Sequence, residues 1–98
     1  MFELRRTADF DKWLKSLRDT RARAKILVRI ERLARGNPGD VMPVGEGISE
    51  LRVHFGPGYR VYFKQAGTQI VLLLCGGDKD TQASDIIRAK MLAKELDE

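Results

Sequence analysis

Histidine and cysteine each occur once in this 98-residue chain, as His54 and Cys75. One cysteine cannot close an intramolecular disulfide. There is no CxxC pair and no Cys/His cluster, so neither a disulfide framework nor a bound metal is expected. Cys75 stands inside an apolar run and reads as a small buried hydrophobe rather than a nucleophile. The longest apolar run, Ile70 to Cys75, is far too short to cross a bilayer. Met1-Phe2-Glu3-Leu4 carries no signal-peptide pattern, so a cytoplasmic location without membrane association is expected. Gly76-Gly77 lacks the lysine and hydroxyl residues of a phosphate-binding loop and reads as a turn, and no cofactor is expected. The chain has no repeat, linker or low-complexity segment.

What is present fits one globular domain over residues 1–98. The hydrophobic fraction is 43%, which is ordinary, so disorder is not expected even with 33% charged residues. A chain this short buries a modest core and has a thin stability margin. Eighteen basic residues against 14 acidic ones give a net charge of +4. That favours a polyanion or an acidic protein as partner, and charge alone does not separate the two.

Patterning gives the order β-α-α-β-β-β-α. Phe2 to Arg5 alternates and predicts a first strand. Phe10, Trp13, Leu14 and Leu17 follow helical spacing, with Thr7 or Asp9 as the cap. Asp19-Thr20 opens a second helix with Ile26, Leu27, Ile30, Leu33 and Ala34 on one stripe. It ends at Gly36-Asn37-Pro38-Gly39, and the two helices read as an αα-hairpin. Residues 40–47 are rich in Gly and Pro and read as a loop. From Ile48 to Phe55, Leu51, Val53 and Phe55 share one face while Glu50, Arg52 and His54 share the other. Tyr59 to Lys64 alternates again, with Val61 and Phe63 inward and Arg60 and Tyr62 outward. Ala66-Gly67-Thr68 makes a hairpin turn. Ile70 to Cys75 is apolar throughout, as in a strand covered on both faces, and the Gly76-Gly77 pair breaks it. A last helix follows, with Ile86, Ala89, Ala93 and Leu96 inward and Ile87 and Met91 widening the stripe. The fold class is α+β, a small and mainly antiparallel sheet with an N-terminal αα-hairpin and a C-terminal helix.

The chemistry-bearing residues are on the polar face of the two alternating strands. If these strands pair through Gly56-Pro57-Gly58, then Arg52, His54, Arg60 and Tyr62 cluster across them, and Lys79 lies just beyond the apolar strand. Arginine grips phosphate with paired charge-assisted bonds, and tyrosine or histidine stacks on an unpaired base. Cleavage by a 2′-hydroxyl needs a base, an acid and cations around the developing phosphorane. The bland alternative stays open. A solvated sheet face carries such residues in any case, Arg52 could simply pair with Glu50 or Glu46, and His54 could cap a strand end.

The segment from Glu50 to Phe63, ELRVHFGPGYRVYF, resembles the signature of HigB-like addiction module killer proteins of the RelE/ParE superfamily. So does Leu72 to Lys79, LLLCGGDK, followed by Gln82 and Asp85-Ile86. The early Phe10-x-x-Trp13-Leu14-x-x-Leu17 pattern is also similar, and together these span nearly the whole chain. The resemblance implies a RelE-like fold and the toxin of a type II toxin–antitoxin pair. It implies a ribosome-dependent endoribonuclease that cuts mRNA in the ribosomal A site. The partners it implies are the ribosome, mRNA and a helix-turn-helix antitoxin, with operator DNA reached through the antitoxin. Carried onto this chain, Arg52 and Arg60 bind phosphate and transition-state charge, and Lys79 is a further phosphate contact. His54 is the general base or acid, and Tyr62 stacks or donates a proton. Several RelE-like nucleases use a C-terminal Tyr or His, and neither residue follows Lys79 here. That departure keeps two alternatives in view: a ParE-like inhibitor of DNA gyrase, and a non-catalytic co-repressor or binding module. Antitoxin docking is expected on the first helices or on the last, around Ile86, Ile87 and Met91.

Overall fold

Thr7 starts the helical part of the chain. Its hydroxyl accepts from the Phe10 amide at 3.0 Å, satisfying a donor that the first helical turn leaves unpaired. The same hydroxyl donates to the Leu74 carbonyl at 2.5 Å, tying the helix start to a strand 67 residues away. The computed structural model describes residues 1–96. The elements are β1 (Glu3–Arg6), α1 (Ala8–Ser16), α2 (Thr20–Ala34), β2 (Val41–Gly45), β3 (Ile48–Val53), β4 (Tyr59–Ala66), β5 (Ile70–Asp78), a 3-10 turn (Lys79–Thr81) and α3 (Gln82–Leu96). Asp19 caps α2 through the amides of Arg21 and Ala22, and Asp78 caps the 3-10 turn in a reciprocal capping box with Thr81.

The five strands form one sheet in the order β1-β5-β4-β3-β2. β1 runs parallel to β5, and the other pairings are antiparallel. This is the expected RelE-like α+β layout with one strand added. Residues 40–47, expected as a loop, contain β2. Pro43 and Gly45 hide it from pattern reading, and β2 tolerates both because it is an edge strand with a register shift between them.

The sheet is covered on both faces. Phe10 and Leu14 of α1 and Ile26, Ile30 and Leu33 of α2 pack on Leu51, Val53, Val61, Phe63, Val71 and Leu73. On the opposite face Ala89, Leu92 and Ala93 of α3 pack on Ile48, Tyr62, Leu74 and Cys75. β5 lies between both layers, which explains its unbroken apolar run. Its register with β4 slips at Tyr62/Phe63, leaving Leu74 without a partner, so that Leu74 and Cys75 both join the α3 side. Expected inward residues Leu27 and Leu96 are instead exposed at 39% and 50%, at the margins of their helix stripes.

Gly76 and Gly77 do not break β5. They pair with Val61 and Arg60 as part of the ladder. Glycine is required there for space. A methyl group on Gly76 would overlap the Trp13 ring, and one on Gly77 would overlap the Asp85 carboxylate and Thr81 hydroxyl. The two helices on opposite faces thus approach the strand end more closely than any side chain allows.

Candidate functional site

Antiparallel register sets Glu50 directly opposite Tyr62 and Arg52 directly opposite Arg60. Two facing guanidiniums repel, and Glu50 resolves the conflict. One of its oxygens, Oε1, accepts from Arg52 Nε at 2.9 Å and from Arg60 Nη1 at 3.0 Å. The other, Oε2, accepts from the Tyr62 hydroxyl at 3.0 Å and from Gln82 Nε2 of α3 at 2.8 Å. The Glu50 side chain is 0% exposed, Arg60 12% and Arg52 30%. Burial pushes the Glu50 carboxyl up, but hydrogen bonds from Arg52, Gln82 and Tyr62 and the charge of Arg60 outweigh it, so its pKa falls below the ordinary value. Glu50 is therefore an anion that holds two cations, a phenol and an amide in one geometry.

Tyr62, expected on the solvated face, is fully buried because α3 covers that face. Burial first, then the charge of Glu50 and the bond to it, hold the phenol proton far above the ordinary tyrosine range. At neutral pH it is a fixed donor to Glu50. The pairing of Arg52 with Glu50, raised above as the alternative to a nucleic-acid role, is present. Arg60 Nε is buried without a partner, so this guanidinium is positioned by one of its sides only.

His54 departs from the cluster. β3 ends at Val53, and the His54 side chain is 71% exposed, with Nε2 at 2.5 Å from Asp40 Oδ2. The His54 hydrogen bond is the main cause holding the Asp40 carboxyl below its ordinary range. Burial opposes it, and the charges of His54, Arg52 and Arg29 assist. An ionised Asp40 can only accept, so His54 Nε2 is the donor and Nδ1 is the nitrogen left for a substrate. Arg29 sets this geometry. Its Nη1 donates to the Arg52 carbonyl at 2.7 Å and its Nη2 to the Pro38 carbonyl at 2.9 Å, stapling α2, the segment before β2 and β3 together. The Arg52 amide also donates to the Asp40 carbonyl at 3.0 Å.

Lys79 is exposed at the start of the 3-10 turn, beside the β3–β4 connector. A Cβ added at Gly58 would lie 3.7 Å from its own. The structure thus brings Arg52, Arg60 and Tyr62 together on Glu50, pairs His54 with Asp40 instead, and sets Lys79 beside Gly58. Sequence reading missed Asp40 and Gln82 as partners. Asp40 lies 14 residues from His54, just before an edge strand that itself carries no periodic signal. No group of three or more His, Cys, Asp or Glu suited to a metal ion occurs among the described residues.

Residues 12–96 match the family model described as phage derived protein Gp49-like. The chain is also similar to an uncharacterized protein of Haemophilus influenzae, 53% identical over 94 residues that cover 96% of this chain and 95% of the relative. No helix among the described residues is long and apolar enough to cross a membrane.

Proposed function

The chain belongs to the Gp49-like family of phage-derived proteins, and on that basis we propose that it is the toxin of a type II toxin–antitoxin pair. In this reading it is a HigB-like member of the RelE/ParE superfamily that cuts mRNA in the ribosomal A site. The observation that carries the nuclease reading is the exposed His54–Asp40 pair set beside Arg52. Asp40 fixes the imidazole tautomer, so His54 Nδ1 takes the proton of a ribose 2′-hydroxyl. The 2′-oxygen bonds to phosphorus, the bond to the 5′-oxygen breaks, and that oxygen is protonated from water. Arg52 is the outermost guanidinium of the network and meets the developing phosphorane charge. Arg60 and Tyr62 act behind it, by holding Glu50 and through it Arg52. Lys79 contacts a neighbouring phosphate. The chain has a single histidine, so one imidazole supplies the base and the proton of the leaving oxygen comes from water.

A helix-turn-helix antitoxin is the proposed partner. Ile87 and Met91 on α3 are 62% and 51% exposed and support docking there. A second reading, a ParE-like gyrase inhibitor, is favoured by the burial of Tyr62 and Arg60, which removes two of the expected catalytic groups from direct contact with RNA.

The test is induction without antitoxin, with new 5′ ends mapped on cellular mRNA, for the wild type and His54→Ala. His54 is exposed, so its replacement leaves the fold intact. Cuts within translated codons that vanish in the variant are expected. Growth arrest without cuts, together with loss of supercoiling by purified gyrase, would establish the second reading instead.

A further inference from the structure

Charge on this protein is unevenly placed. α2 carries Arg21, Arg23, Lys25, Arg29 and Arg32 against the single acidic residue Glu31. Its net charge therefore equals that of the whole chain, +4. Many cations elsewhere are neutralised in pairs: Arg5 with Glu3, Arg6 with Asp11, Arg88 with Asp9 and Lys90 with Glu46. On α2, Arg21, Lys25 and Arg32 are exposed, and none has a carboxylate partner among the described residues. Their spacing puts them on one side of the helix together with Val28, which is 54% exposed.

Two members of this row meet the ring of Phe55, in the connector after β3. The Arg21 guanidinium lies 5.9 Å and the Lys25 ammonium 5.1 Å from its ring centroid. Phe55 is half-buried and forms one wall of a groove of about 470 Å³. Ala24, Lys25, Val28 and Arg29 form the opposite wall, and His54 lies between. Two unneutralised cations facing one aromatic ring, over apolar walls, match the way single-stranded nucleic acid is bound. Bases stack on the ring whatever their identity, and phosphates follow the cations.

We propose that this groove is a nucleobase subsite, in which one unpaired base of a single-stranded RNA stacks on Phe55 while its flanking phosphates lie on Arg21 and Lys25. The proposal rests on the RNA-directed reading above and deepens it. Because His54 lines the same groove, the nucleotide seated there is the one whose ribose the imidazole meets. A duplex cannot present its base faces to a ring, so the subsite selects unpaired strands.

The experiment is a titration of the ¹⁵N-labelled full chain with a 2′-O-methyl hexaribonucleotide, which binds but cannot be cut. It is repeated for Phe55→Leu, Lys25→Gln and Ile87→Ala. Leucine keeps the apolar packing of Phe55 and removes its π face. Amide shifts at 53–55 and 24–29 are expected. Phe55→Leu should weaken binding about 5- to 150-fold, the range for one stacked base. Lys25→Gln should flatten the salt dependence, and Ile87→Ala should change nothing. Undiminished binding by Phe55→Leu, or shifts confined to the Arg52 and Lys79 region, would overturn the subsite while leaving the nuclease reading standing. Groove binding of a glutamate-rich peptide with no RNA binding would also overturn it, in favour of a protein partner. Groove binding of the oligonucleotide without any mRNA cuts in cells would sink the nuclease reading alone.

Discussion

Replacing Glu50 with alanine removes a carboxylate that accepts from four donors at once. Arg60 would be left with a nearly buried charge and no counter-ion, and the Tyr62 hydroxyl and Gln82 amide would lose their partner beneath α3. Breaking a buried ion pair from one side costs about 3–5 kcal/mol, because the stranded charge remains desolvated. A domain of this size has roughly 5–15 kcal/mol in all, so the variant stands close to the edge of folding. Its thermal midpoint should fall by roughly 12–40 °C, at about 4–8 °C per kcal/mol. The measurements are thermal and urea denaturation followed by far-ultraviolet circular dichroism, on wild type and Glu50→Ala. The triple variant Glu50→Leu, Arg60→Met, Tyr62→Phe serves as the companion. It removes the buried charges together and should regain most of the loss, while Arg52 turns to solvent. A Glu50→Ala cost below about 1 kcal/mol would refute the reasoning, since that is the value of an exposed pair. A triple variant no more stable than Glu50→Ala would equally show that the penalty is not electrostatic.

The other predictions concern separate features. Because the folded pKa of Glu50 is depressed, its contribution is complete above the ordinary value of 4.5 and is lost as pH falls through the lower folded value. Glu50→Gln should therefore flatten the acid limb of the urea midpoint against pH, and an unchanged limb would contradict this. Gly76→Ala should destabilise by about 1–3 kcal/mol or more through overpacking against Trp13. Trp13 is the single tryptophan, so its emission should shift in the folded variant, and a variant as stable as wild type with unshifted emission would refute the close approach. Burial first, and then the charge of Asp85, push the Cys75 thiol up to about 12, so a thiol-specific disulfide reagent should label it only after unfolding. Rapid labelling of the native protein would refute the packing of α3 on β5.

Most elements were legible because their periodicity is strong. The α1 and α2 stripes, the alternation of β3 and β4 and the apolar run of β5 each carry a two-sided or one-sided burial pattern into the structure. β2 carries none. An edge strand with a proline and a bulge makes few packing demands on its side chains, and the same composition spells a loop. For the site, alternation placed Arg52, Arg60 and Tyr62 on a common face, and the register confirms it. Alternation says which residues share a face and nothing about what covers it. The cover is α3, and it turns a supposed solvent-facing tyrosine into a core residue. His54 was expected beside the arginines by extending the β3 pattern one residue too far. The strand stops at Val53, and the imidazole instead meets Asp40. The Gly76-Gly77 pair was read as a chain breaker, whereas its small size serves the approach of two helices to a continuing strand.

The parallel pairing of β1 with β5 sets a clock on the chain's birth. Glu3 aligns with Ile70 and Arg6 with Leu73, and the Thr7 amide donates to the Leu73 carbonyl at 3.1 Å. β1 therefore has no partner until β5 has been made. At about 5–20 residues per second this interval lasts roughly 3–15 s. Throughout it the N-terminal strand is an unpaired edge, exposed to chaperones and to any binder that recognises an extended segment. The folded sheet, and every site built on it, comes into being only after β5 has been made.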